Sequence, residues 1–282
     1  MMRAGRAVAL GLVMCLSGAV QAAVPDYTTL IAHRGESVDA PENTLPAYRT
    51  AVSRGFGFEC DIYLSKDGRC FTFHDGDLKR TTAGANTNRC GDVTWETVSQ
   101  LNVGGWGKWK GSAFDPTRPA LLEEVLAEAR PGRQIYVEVK TGPEIVPFVK
   151  KAIEAEKKAT PESVLFISFN AASCAELKKA LPAYKVYFLS SAHKNWSKEN
   201  PVWTAEELLA KLKETGADGL DIQFEAGTHD AAFVRKFHDA GYSFHVWTVD
   251  DLKTAKLAFA AGADTLTTNC AKRIYDESQL DR

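Results

Sequence analysis

Two histidines, an arginine and several carboxylates crowd one short stretch of the chain: His33-Arg34-Gly35, Pro41-Glu42-Asn43-Thr44, Glu59-Cys60-Asp61 and Phe73-His74-Asp75. Imidazoles exchange protons near neutrality, a guanidinium grips phosphate through a planar fork, and clustered carboxylates hold hard divalent cations. Each group stands at the end of an apolar run or in the loop just after it. The inventory suits acid/base chemistry on a phosphate beside a metal ion, with His33 and His74 as the proton carriers.

Glu59 and Asp61 alternate, so on a strand they share a face. Two ionised carboxylates side by side repel, and a divalent cation removes the conflict. Glu138, in Tyr136-Val137-Glu138-Val139-Lys140, is the natural third ligand. An all-oxygen set favours Ca²⁺ or Mg²⁺ over Zn²⁺. Arg34 and Lys140 supply positive charge where a phosphate would sit, and a plain ion-pair network with the acids is the competing reading. Glu42 is placed to orient His33 or Arg34, and Thr44 reads as a helix cap. Trp247 is expected as an apolar wall at a strand end, and His245 shares its face by alternation. His193, His229 and His238 have no such chemical neighbours in sequence.

Short apolar runs at 30–32, 56–63, 134–139, 164–169, 185–189, 219–222, 242–249 and 264–267 alternate with amphipathic stretches. That alternation predicts a (β/α)8 TIM barrel, an α/β fold whose sites lie at the carboxyl ends of the strands. The rival, an open doubly wound sheet, lacks its glycine-rich fingerprint after the first strand. A ninth run, 71–74, follows Lys66-Asp67-Gly68-Arg69. A two-residue Asp67-Gly68 hairpin loop would set Asp61 directly opposite His74. Residues from about 75 to 119 then form an insertion over the barrel mouth, with Gly104-Gly105-Trp106-Gly107-Lys108-Trp109 as a mobile aromatic lid.

The remaining sequence sets bounds. A composition of 45% hydrophobic and 25% charged residues is that of a globular domain, and a net charge of -2 gives no footprint for nucleic acid. Arg3 and Arg6 precede an apolar run from Ala7 to Leu16 and then Val20-Gln21-Ala22, which reads as a cleaved signal peptide over 1–22. The catalytic domain is then 23–282, periplasmic or secreted, without a stable membrane anchor. Of the cysteines left after Cys15 departs, Cys70 and Cys90 flank a polar loop and could pair, while Cys60 reads as a small buried hydrophobe. Residues 276–282 read as a solvated tail.

The block from His33 to Thr44 resembles the signature of the glycerophosphodiester phosphodiesterase family. So do Glu59-x-Asp61, Lys66-Asp67-Gly68, Phe73-His74-Asp75 with Arg80-Thr81-Thr82, Pro119-x-Leu121-x-Glu123-Glu124-Val125-Leu126, Val137-Glu138-Val139-Lys140, Val246-Trp247-Thr248-Val249 and Gly262-Ala263-Asp264. The resemblance implies cleavage of glycerophosphodiesters to glycerol 3-phosphate and an alcohol. It implies His33 and His74 as the acid/base pair, and Glu59, Asp61 and Glu138 around one cation. Arg34 and Lys140 would lie on the phosphate and Trp247 beside the glycerol or head group. It further implies attack by the neighbouring glycerol hydroxyl, giving a cyclic phosphate that water opens. Asp250 stands where the pattern has Asn, and Thr268-Asn269 where it has Thr-Asp; both are expected outside the inner ring of site residues. Rival readings are a phospholipase D-like enzyme acting on lysolipids and a non-catalytic phosphodiester-binding protein. A glycosidase fits less well, lacking a carboxylate acid/base pair.

Overall fold

Nine strands form one continuous sheet that closes on itself in the computed structural model, which describes residues 25, 26 and 28–280. The expected signal segment, 1–22, lies outside the described residues. The strands are β1 (Leu30–Ala32), β2 (Gly57–Leu64), β3 (Cys70–Thr72), β4 (Ile135–Val139), β5 (Val164–Ser168), β6 (Lys185–Ser190), β7 (Gly219–Gln223), β8 (Ser243–Trp247) and β9 (Thr265–Thr268). All but β3 pair in parallel, and β1 lies between β2 and β9, which closes a (β/α)8 barrel. The helices are α1 (Leu45–Ser53), α2 (Trp95–Ser99), α3 (Leu122–Leu126), α4 (Val146–Ala155), α5 (Ala171–Ala180), α6 (Ala205–Thr215), α7 (Ala231–Asp239), α8 (Leu252–Ala261) and α9 (Ala271–Leu280).

Local chemistry starts these helices. Thr44, Asn170, Thr204, Asp230 and Asp251 each accept a hydrogen bond from an amide in the first turn of the helix that follows. Such caps satisfy donors that have no partner inside the helix. Alternation along the strands then sorts side chains. Val137, Phe166, Val186, Leu220, Phe244 and Leu266 pack outward against the helices. Ile31, Tyr136, Leu165, Ile167, Tyr187 and Leu189 fill the lumen. Both faces are apolar, which is why the strands read as nearly continuous hydrophobic runs.

His245 also points into the lumen. It is fully buried, with its ring nitrogens on the Thr265 and Thr267 hydroxyls. Burial lowers its pKa to about 3. The folded value lies below the unfolded one, so its contribution is complete above pH 6.5 and is lost as pH falls toward 3. The stability difference between wild type and His245→Gln should shift against the wild type by about 2 kcal/mol between pH 7 and 5. Urea titrations of both proteins measure it, and a pH-independent difference would refute the neutral, buried imidazole.

Three expectations need correction. The β2–β3 register is one residue off: Ile62 pairs with Thr72 and Leu64 with Cys70, which sets Asp61 against Phe73 and not His74. The cause is a three-residue loop. Ser65 N–H donates to Arg69 C=O at 2.9 Å, and Gly68 takes the left-handed position (φ +78°) that closes such loops. Residues 276–280 are not a loose tail, because α9 continues to Leu280 and buries Ser278. Cys70 and Cys90 are free thiols in different clusters: Cys70 joins the barrel core, and Cys90 packs with Phe71, Phe73, Leu78, Val93 and Val98. Cys60 is buried in the core, as expected.

Candidate active site

The carboxyl ends of the strands open into a cavity of about 450 Å³. His33, Arg34, Glu59, His74, Glu138, Lys140 and Trp247 all line it. Asp61, 1% exposed, lies behind Arg34 and Lys140.

Glu59 and Asp61 share the inward face of β2, and Glu138 on β4 is the register partner of Asp61. All three are buried, and one oxygen from each lies within 4.8 Å of the others. Glu59 Oε1 accepts no hydrogen bond, and Asp61 Oδ1 has only the Lys140 ammonium at 3.2 Å. Buried carboxylate oxygens without donors are costly, so the cluster has the composition of a cation site. The protonation pattern follows. Burial, with Asp61 and Glu138 adding repulsion, pushes Glu59 far above the usual carboxylate range. Burial and Asp61 push Glu138 up to about 8. Burial opposes the Asp61 charge too, but Lys140, Arg34 and the Asn43 hydrogen bond outweigh it and hold that carboxyl low.

Asn43 was not anticipated. Its Nδ2 donates to Asp61 Oδ2 at 2.7 Å and its Oδ1 accepts from the Asp61 amide at 3.0 Å. It holds a left-handed backbone (φ 55°), a conformation tolerated best by glycine and asparagine. Arg34 shares that region (φ 57°), and the next residue must be glycine: a Cβ on Gly35 would lie 2.6 Å from Ala47. These turns aim Arg34 back over the acids. Its Nε lies 3.6 Å from Asp61, and its Nη1 donates to Glu42 at 3.0 Å. Glu42 therefore orients Arg34, not His33. Lys140 Nζ lies 2.9 Å from Glu138 and 3.2 Å from Asp61.

The two histidines differ in their backing groups. His33 Nδ1 lies 2.7 Å from Asn269 Oδ1. The amide is fixed because its Nδ2 donates to Asp250 Oδ2 at 2.7 Å, so Oδ1 faces His33 and Nδ1–H must donate. The Nε2 lone pair is left toward the cavity, 3.9 Å from Glu59. Burial, then Arg34, lower this imidazole to about 4. Asp250 and Asn269 were expected away from the site residues, but they form the support of His33. His74 leans instead on a carboxylate, Asp75 Oδ1, at 2.9 Å. Its pKa is also lowered, by burial first, while Asp61 and Asp75 work the other way. Despite the shifted register its ring reaches the cavity; the last β3–β2 hydrogen bond is Phe73 N–H to Asp61 C=O at 3.1 Å, one residue before it.

Opposite the ionic groups the wall is aromatic. Trp247 packs edge-on against Phe169 (5.7 Å between centroids), and Trp196 packs on both, at 4.8 Å from Phe169 and 5.8 Å from Trp247. Trp106 and Trp109, expected as a lid, do not line the cavity. Arg80 covers Trp106, and Trp109 packs on Phe114. Sequence spacing gave no signal for Trp196, which sits in an irregular turn. Asp221, on β7, was also missed; it lines the cavity, whereas Gln223 at the strand's end is exposed.

These features coincide with a known group of proteins. The model of the glycerophosphoryl diester phosphodiesterase family matches residues 33–272. The chain belongs to that family. It is 34% identical over 166 residues to a glycerophosphodiester phosphodiesterase of Caldanaerobacter subterraneus subsp. tengcongensis, covering 57% of this chain and 66% of that one. It is 38% identical over 134 residues to human glycerophosphodiester phosphodiesterase 1, covering 47% of this chain and 38% of that one. The chain thus spans less than two thirds of these relatives. Among solved structures, a phosphodiesterase of Oleispira antarctica in complex with sn-glycerol-3-phosphate superposes with a TM-score of 0.74 at 25% identity, over 90% of this chain and 97% of that one.

Proposed function

We propose that this protein is an exported, metal-dependent phosphodiesterase that cleaves glycerophosphodiesters to glycerol 3-phosphate and an alcohol. The carrying observation is the convergence of two imidazoles, two cations and a three-carboxylate cluster on one cavity. The product bound by the Oleispira antarctica protein supports the same substrate class.

Glu59, Asp61 and Glu138 would hold one Ca²⁺ or Mg²⁺, which when bound neutralises charge on the phosphoryl oxygens. Arg34 and Lys140 grip those oxygens and fix the phosphorus. His33 Nε2, held bare by the Asn269 contact, takes the proton of the adjacent glycerol hydroxyl. As that oxygen bonds to phosphorus, the bond to the alcohol breaks, and His74 returns a proton to the departing oxygen. A cyclic phosphate results. Water then opens it with the two roles exchanged, so that each imidazole regains its starting state. The carboxylate behind His74 favours its protonated form more strongly than the neutral amide behind His33 does, and this contrast supports the opening roles proposed.

The test is the purified protein with a panel of glycerophosphodiesters and each divalent ion in turn, scored for released glycerol 3-phosphate. Release from none of them overturns the reading. One observation favours a second: the aromatic wall is open, with Trp196 61% exposed, and an apolar mouth suits lysolipids. Faster hydrolysis of lysophosphatidylcholine than of glycerophosphocholine would select that alternative.

A further inference from the structure

Asp221 has no part in the chemistry just described. β7 stands across the barrel from β2, four strands away in either direction around the ring. The other acids and bases of the cavity come from β1, β2, β4 and the segment after β3, so Asp221 is an isolated carboxyl on the opposite wall. It is 1% exposed, and its Oδ1 has no hydrogen-bond partner. The nearest candidate, His245 Nε2, lies 3.7 Å away and is already engaged by the Thr267 hydroxyl at 2.8 Å. Burial pushes the Asp221 carboxyl well above the usual carboxylate range. A buried, unpartnered carboxyl facing a cavity is unfavourable in the free protein unless an incoming group completes it.

The surroundings define that group. Leu189 and His245 flank Asp221 in the β-ladder, and Ile167 and Leu189 line the same part of the cavity. Trp247 is fixed there through its indole N–H, which donates to the Asp221 carbonyl at 3.3 Å. Beneath lie Tyr136, Leu165 and Tyr187, packed in the lumen. On this side apolar side chains surround the Asp221 carboxyl, the Thr267 hydroxyl is already engaged by His245, and packed lumen side chains close the floor. The exposed side of the cavity is at Trp196.

A phosphate gripped by Arg34 and Lys140 carries two ester arms. The side floored by packed lumen side chains takes a short arm of fixed length, whereas a variable head group needs the side open at Trp196. Carbon chain against Ile167, Leu189 and Trp247, with a terminal hydroxyl at Asp221, describes a small polyol. We infer that Asp221 determines specificity for the glycerol arm by hydrogen-bonding its terminal hydroxyl. A hydroxyl both donates and accepts, so it satisfies the carboxyl in either protonation form. This inference rests on the phosphodiesterase reading.

The experiment compares a glycerophosphodiester with its analogue lacking only the terminal hydroxyl, a 1,2-propanediol phosphodiester. The analogue keeps the hydroxyl that attacks phosphorus, so the chemistry is common to both. Sites built to pair a substrate hydroxyl reject the analogue without it strongly, and the wild type should favour the glycerol diester by at least about 10²-fold in kcat/KM. In Asp221→Leu the preference should collapse toward unity, while Asp221→Asn, which keeps a hydrogen-bonding partner, should retain much of it. Equal ratios in wild type and Asp221→Leu overturn the inference. Should that variant not fold, the wild type decides alone: calorimetric affinities for glycerol 3-phosphate and 1,2-propanediol phosphate must differ in the same sense, and equal affinities refute the contact. If neither diester is turned over, the phosphodiesterase reading fails, and the binding comparison still decides the role of Asp221.

Discussion

His33→Ala and His74→Ala each lower kcat by roughly 10²–10⁴-fold, the usual worth of a positioned acid or base. The two variants then part company when the leaving group changes. A departing alkoxide needs a proton; a p-nitrophenolate does not. With a p-nitrophenyl ester of glycerol phosphate, His74→Ala should recover most of its lost rate, because the proton it gave is no longer required. His33→Ala should stay slow, because the attacking hydroxyl must still lose its proton. The basis is the contrast in backing groups: Asn269 amide oxygen at 2.7 Å from His33, Asp75 carboxylate at 2.9 Å from His74. Equal recovery in both variants would show that the roles are not divided in this way, and full activity in either would remove that histidine from catalysis.

Exhaustive chelation should abolish activity, with Ca²⁺ or Mg²⁺ restoring it. Several kcal/mol of charge stabilisation are at stake, hence a loss of about two orders of magnitude or more. A second readout needs no turnover. Without a cation Glu138 carries a pKa of about 8, so it is largely protonated at neutral pH. Cation binding requires the ionised form and must release protons. Calorimetric titration with each ion, in buffers of different ionisation enthalpy, should show net proton release at pH 7 from Glu59 and Glu138, with the Glu138 share declining as pH rises past 8. Glu138→Gln should weaken the binding and reduce the release. Activity that survives chelation, or a cation that binds without displacing protons, would separate the cluster from the chemistry proposed for it.

The barrel was legible because its strands are buried on both faces and its helices carry explicit start and stop signals. The cation cluster was legible for a local reason: Glu59 and Asp61 lie two apart on one strand, so a single periodicity places both. Glu138 on β4 and Lys140 just past its end repeat the pattern. What sequence reading missed depends on irregular backbone or distant pairing. The hairpin register turned on one residue in a loop, as Gly68 closes a three-residue connection where two were expected. Asn269 reaches His33 from 236 positions away, and no local spacing records that contact. Trp196 occupies its place through left-handed backbone at both Asn195 and itself, a conformation composition does not announce.

Arg80 closes a circuit across the cavity rim. Both of its Nη atoms meet Glu42, at 2.9 and 2.7 Å, and its Nε meets Asp75 at 2.7 Å. Glu42 in turn steers Arg34, and Asp75 steers His74. A residue from outside the barrel's strands thus yokes Arg34, the proposed phosphate grip, to His74, the proposed proton donor. The segment carrying it is anchored by its own small apolar cluster. Connecting segments generally tolerate insertions and deletions better than the elements they join. Here such drift is constrained: an insertion that displaced Arg80 would loosen the support of Arg34 through Glu42 and of His74 through Asp75 at once.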